Sequence, residues 1–219
     1  VSFPQTIYKH WLSGALHYLY NVDGEIDGNS YLGYLEKMSD AFFYDRLMRT
    51  ERDYFEIIFE NKCAIQNDQV LPIDLEQNLN IGTNVQNFIF NRIDYRLWLN
   101  FDAYKNDISE KDPDYLNVPT NRFEFGFRSS VEHYAPQQPK NMQDALKNVD
   151  NLGNLCLISR SKNSELSNYS PRSKKEHYAQ QKTIESLKQR LMMCYANWDE
   201  STVNDHEEKI IEVLKIKAN

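Results

Sequence analysis

The chain has 219 residues, 41% hydrophobic and 26% charged, with 14 Tyr and 11 Phe, so it can build a sizeable globular core. No apolar run approaches the roughly 20 residues of a membrane helix, and no basic-then-apolar leader opens the chain, which points to the cytoplasm. The formal net charge of −7 speaks, taken alone, against a nucleic-acid partner.

In chain order, the first hundred residues read as helices. Residues 6–20 place Ile7, Trp11, Leu12, Ala15, Tyr18 and Leu19 at helical spacing, and Asn21-Val22-Asp23-Gly24 stops the run. Ser30 or its predecessor caps a second helix through Leu32, Leu35, Met38, Phe42 and Phe43. A short apolar piece follows at 53–59. Asn84 caps the strongest helix of this half, through Val85, Phe88, Ile89, Arg92, Tyr95, Trp98, Leu99 and Asp102. The polar loop at 105–121, with Pro113 and Pro119, is the expected domain boundary.

Beyond it the period changes to two. Phe123, Phe125, Phe127 and Val131 alternate with polar residues or Gly, predicting a half-buried strand, and residues 152–159 predict a second. From Lys162 to Ser173 the chain reads as polar and turn-prone. Helix is expected from Lys174 to about Tyr195, and an amphipathic helix from about 203 to 216. The expected class is mainly α with one small strand–loop–strand–helix unit, α+β overall. A helical subdomain would span 1–118, and 119–219 would carry the ββα unit and a closing helix.

Charge divides along the same line. Residues 120–190 carry 12 Lys and Arg against 7 Asp and Glu, a balance of +5, while the remainder carries −12. A basic block on an acidic body suggests an anionic partner. Cys63, Cys156 and Cys194 form no C-x-x-C pair, which argues against a zinc ribbon or thioredoxin-like site, and buried, reduced thiols are expected. Gly-rich phosphate loops are absent.

Within the strand–loop–strand–helix unit stand Glu132-His133-Tyr134-Ala135-Pro136, then Leu152-Gly153-Asn154-Leu155, then Asn163, Leu166-Ser167-Asn168 and Lys174. An acid beside a His offers an oxygen ligand for a hard cation next to an imidazole base. A carboxylate and an amide leave coordination positions open for water and phosphate oxygens, which suits Mg²⁺. Phosphodiester hydrolysis needs these parts.

This run resembles the HNH-type (ββα-metal) nuclease domain at the C-terminus of GmrSD-type restriction enzymes. In the acid–His step and the nine-residue Asn-to-Asn spacing it is also similar to the HNH domain of RNA-guided CRISPR nucleases. The motif covers 122–178. The stretch Phe90-Asn91-Arg92-Ile93-Asp94-Tyr95-Arg96-Leu97-Trp98-Leu99 resembles the helical region that precedes such domains. The resemblance implies His133 as general base, Asn154 as its orienting partner, and Glu132 and Asn163 as ligands of Mg²⁺, with Mn²⁺ or another divalent ion able to substitute. It implies Lys174, Lys175 and Arg160 as DNA contacts. It further implies an endonuclease of a bacterial restriction or antiviral defence system, acting on foreign or modified DNA and preceded by a nucleotide-dependent domain or subunit, as a chain opening on Val also suggests. Against this stands a catalytically inactive nucleic-acid-binding or protein-interaction module of a larger defence protein.

Overall fold

The computed structural model describes residues 6–49, 52–115, 123–141, 145–179 and 183–218. Two compact units divide it, Val1–Asn78 with Ile216–Asn219, and Leu79–Lys215. The subdomain boundary expected between 118 and 119 lies outside the described residues.

In the first unit, α1 (Thr6–Tyr20) packs on α2 (Gly28–Ala41). Asp27, not Ser30, caps α2, its carboxylate accepting from Ser30 N at 2.7 Å. A π-helical turn, Phe42–Met48, carries the chain on as an almost wholly buried run. A second such turn, Glu56–Glu60, and α3 (Pro72–Leu79) follow. Trp11 and Tyr54 pack edge-on against Phe42, and Tyr54 stacks on His10, which gives that histidine a packing role. Leu12 is exposed, so α1 is less deeply seated than its spacing predicts.

The second unit is built around α4 (Asn87–Leu99), which packs on α8 (Leu187–Met192), α9 (Glu200–Lys215) and β2 (Leu155–Ile158). Asn84 does not cap α4. It closes a 3₁₀ turn, Gly82–Asn84, and the N-cap position falls to Gln86. The short α5 (Phe101–Asn106) follows α4. Among the described residues the sheet is one antiparallel pair, β1 (Ser130–His133) with β2, in register Glu132↔Cys156 and His133↔Leu155. The strand is shorter than its alternating phenylalanines predict. Among the described residues the pairing of 123–129 is limited to a bridge from Phe123 to Ile184 and a bond from Ser129 N to the Ile158 carbonyl, and Phe125 and Phe127 are exposed.

A two-stranded ribbon is marginal by itself, so its stability comes from what covers it. Tyr134, Cys156, Ile158, Leu166, Met192 and Met193 form the core there, with Trp198 and Tyr178 packed on it. All three thiols are buried and free, as expected. Gly153 is required by close approach, because a Cβ there would stand 2.2 Å from the Val203 carbonyl oxygen of α9. Beneath the same turn, the ammonium of Lys188 donates to the carbonyls of Leu152, Gly153 and Leu155 at 2.8, 3.2 and 2.6 Å.

The stretch expected to be turn-prone is helical: α6 (Arg160–Leu166) begins directly after β2, capped by Ser159, whose hydroxyl accepts from Lys162 N. Only Leu166 of that helix is buried, so apolar periodicity had little to register. The long helix expected from 174 to 195 is two helices, α7 (Pro171–Ala179) and α8, the second restarted by a Ser186 cap.

Candidate active site

Glu132 and His133 occupy the last two positions of β1, and Asn163 stands one turn into α6, which packs on β1. This sequence of elements brings the three residues into the wall of one cavity of about 300 Å³, with Thr83, Gln137 and Asn168 also lining it. A larger cleft of about 820 Å³, between Asp112, Tyr115, Arg172 and Trp198, contains none of the three.

Glu132 is nearly buried. Its Oε1 is bonded by the ammonium of Lys174, itself fully enclosed, which also donates to the carbonyls of His133 and Tyr134. Burial pushes the Glu132 carboxyl above its ordinary value, and Lys174 pulls the other way. The backbone N–H of His133 also stabilises the carboxylate. Asn163 donates Nδ2 to Ser130 Oγ at 2.7 Å and, more weakly, to the Val131 carbonyl at 3.5 Å. A carbonyl only accepts, so the amide nitrogen faces the strand and Oδ1 is left for another ligand. One carboxylate and one amide oxygen are hard donors, and this set fits a magnesium-like ion that keeps most of its water. Among the described residues no cluster of three His, Cys, Asp or Glu side chains could hold a metal.

His133 is nearly buried, and its Nε2 lies 2.7 Å from Oδ1 of Asp150, a half-exposed residue that sequence reasoning did not single out. Its only signal there was its place four residues before Asn154.

Asn154 does not touch the imidazole in this structure. Fully buried, it accepts from Ala135 N at 2.8 Å and Trp198 Nε1 at 3.0 Å, and donates to the carbonyls of Ala135 and Val149, each at 2.9 Å. It clamps the chain leaving His133 to the turn before β2.

The three expected DNA contacts separate. Arg160 is exposed at the start of α6. Lys174 is internal, as described. Lys175 is buried against Asp112 at 2.7 Å and the Tyr195 carbonyl at 2.6 Å. Neither lysine reaches a phosphate at the surface in this arrangement. The correction extends to the whole basic block. Among the described residues five of the block's ten cations, Arg128, Lys174, Lys175, Lys188 and Arg190, are buried, so much of its positive charge is interior. Arg128, for instance, is bonded to the buried Asp94 and to Asn91 Oδ1, tying the approach to β1 onto α4. His177 pairs with Glu165 at 3.1 Å.

Residues 66–213 match the family described as GmrSD restriction endonucleases, C-terminal domain. No curated protein and no solved structure matches the chain.

Proposed function

The chain belongs to the GmrSD restriction endonuclease C-terminal domain family, and from that premise we propose that it hydrolyses DNA phosphodiester bonds in a divalent-metal-dependent reaction with His133 as general base. The family carries the coarser statement: a nuclease role in restriction, hence DNA as partner and an N-terminal part of the same enzyme. The observation that supports the finer reading is the meeting of Glu132, His133 and Asn163 in one cavity.

In this proposal Glu132 Oε2 and Asn163 Oδ1 hold Mg²⁺, with Mn²⁺ able to substitute. The bound cation supplies Lewis-acid stabilisation of charge on the phosphate and the leaving oxygen. His133 takes the proton of the attacking water, a role for which a positioned imidazole contributes about 10²–10⁴-fold. Lys174 fixes the Glu132 carboxyl group by its ion pair inside a low-dielectric wall. Asn154 fixes the loop after His133. Arg160, exposed at the start of α6, is the DNA contact retained from the sequence reading.

The remaining features are proposed on the family's account: service in bacterial defence against foreign or modified DNA, a nucleotide-dependent N-terminal domain or subunit, and a cytoplasmic location. Among the described residues no helix is long and apolar enough to cross a membrane.

One observation favours the rival reading of a non-catalytic DNA-binding or protein-interaction module. Lys174 already partners Glu132, and a cation must share that carboxylate. Nicking of supercoiled plasmid decides between them. Conversion to open-circular or linear DNA in Mg²⁺, abolished by EDTA, is the expected result, and no conversion in Mg²⁺ or Mn²⁺ would favour the rival.

A further inference from the structure

The contact between His133 and Asp150 defines more than proximity. Nε2 stands 2.7 Å from a carboxylate oxygen. A carboxylate accepts, so the ring nitrogen facing it carries the proton, and the other nitrogen, Nδ1, holds the lone pair. The segment that presents Asp150 is built to stay in place. The next residue, Asn151, accepts from Gly153 N at 2.6 Å and donates to Glu207 at 2.7 Å. Asn154 then ties the same segment to Ala135, two residues past the histidine. Behind Asp150 lies Gly82, in the left-handed region at φ +57°, where an added Cβ would stand 3.1 Å from Asp150 Cβ. The half-exposed carboxylate thus lies between Gly82 and the imidazole, and Gln137 Nε2 lies 3.5 Å from the same oxygen.

We propose that Asp150 is a positioning residue for the reaction: it holds His133 in the tautomer protonated at Nε2, so that Nδ1 is the nitrogen that receives the water proton. The proposal rests on the reading of His133 as general base. In the step, a proton passes from water to Nδ1 as the water oxygen bonds to phosphorus. The bond from phosphorus to the leaving sugar oxygen breaks, and that oxygen takes a proton from solvent. Throughout the step the Nε2–H stays directed at the Asp150 carboxylate oxygen, which holds the ring in place.

The test compares the full chain with Asp150→Ala and Asp150→Asn in two measurements. The first is the ¹⁵N spectrum of the His133 ring without nucleic acid. We expect Nε2 protonated and Nδ1 bare in the unaltered chain, and a mixture of tautomers in Asp150→Ala. The second is steady-state plasmid cleavage in Mg²⁺. Loss of a partner that orients a functional histidine costs about 10–100-fold. Asp150→Ala is expected at the upper end of that range in kcat, with KM unchanged because Asp150 is placed on the imidazole and not on the phosphate. Asp150→Asn keeps an accepting oxygen without the charge and is expected at the lower end. An unaltered kcat in both variants, or the same ring tautomer with and without the carboxylate, overturns the proposal. Should the unaltered chain cleave nothing, the general-base reading fails separately, and the ring spectrum still judges the Asp150 contact.

Discussion

Replacing Asn154 with Ala tests whether the loop bearing His133 is held as described. Asn154 is fully buried and makes four hydrogen bonds, two to Ala135, one to Val149 and one to Trp198. Truncation removes all four and leaves their partners behind. Ala135 is itself buried, so its N–H and carbonyl have no water to turn to. Each buried group stripped of its partner costs about 1–3 kcal/mol. Val149 and Trp198 are partly exposed and recover some hydration, so the total is about 3–5 kcal/mol. Urea unfolding followed by circular dichroism reads this as a lowered midpoint at unchanged slope. The isosteric Asn154→Asp refines the test. It preserves the two accepting interactions but turns an oxygen toward the carbonyls of Ala135 and Val149. A carboxylate there is repelled, so this variant should gain stability as pH falls and the group takes up a proton. A loss below about 1 kcal/mol in Asn154→Ala would mean that the loop does not depend on the clamp.

Further outcomes follow from buried charge and close packing. Burial lowers the pKa of His206 well below the ordinary value, so the folded state binds fewer protons than the unfolded one between the two pKa values. Stability should therefore fall below about pH 6.5 at up to about 1.4 kcal/mol per pH unit, and thermal melts of His206→Phe should show a flatter acid limb. Lys174→Met strands the buried Glu132 carboxylate and should cost about 3–5 kcal/mol in urea unfolding, whereas a surface phosphate contact would change only DNA affinity. Gly153→Ala drives a Cβ into the Val203 carbonyl and should cost about 1–3 kcal/mol as α9 shifts, with an unchanged urea midpoint counting against that close approach.

Periodicity made α1 legible, with bounds 6–20 as the spacing predicts, and it located α9 to within a few residues. The run Glu132-His133, Asn154 and Asn163 carried the family, because residue types at fixed separations survive without knowledge of packing. Other features depend on partners that no local pattern reveals. Phe123, Phe125 and Phe127 alternate as a strand does, yet among the described residues the ladder begins only at Ser130. Helix α6 has a single buried apolar residue, so its one sequence signal is the Ser159 cap. Lys174 and Lys175 read as DNA contacts, since a charged pair gives no hint that Glu132, Asp112 and several carbonyls will enclose it. Asp150 was hidden for the opposite reason. It sits in an ordinary polar turn and gains meaning only when the fold brings His133 against it.

Catalysis at the cavity of Glu132, His133 and Asn163 is tested most directly by plasmid cleavage with Mg²⁺ or Mn²⁺, comparing the unaltered chain with His133→Ala and Asn163→Ala at matched folded fractions. The expected result is metal-dependent cleavage by the unaltered chain, a loss of about 10²-fold or more in His133→Ala, and a raised metal requirement in Asn163→Ala. Equal cleavage by all three proteins would contradict the assignment.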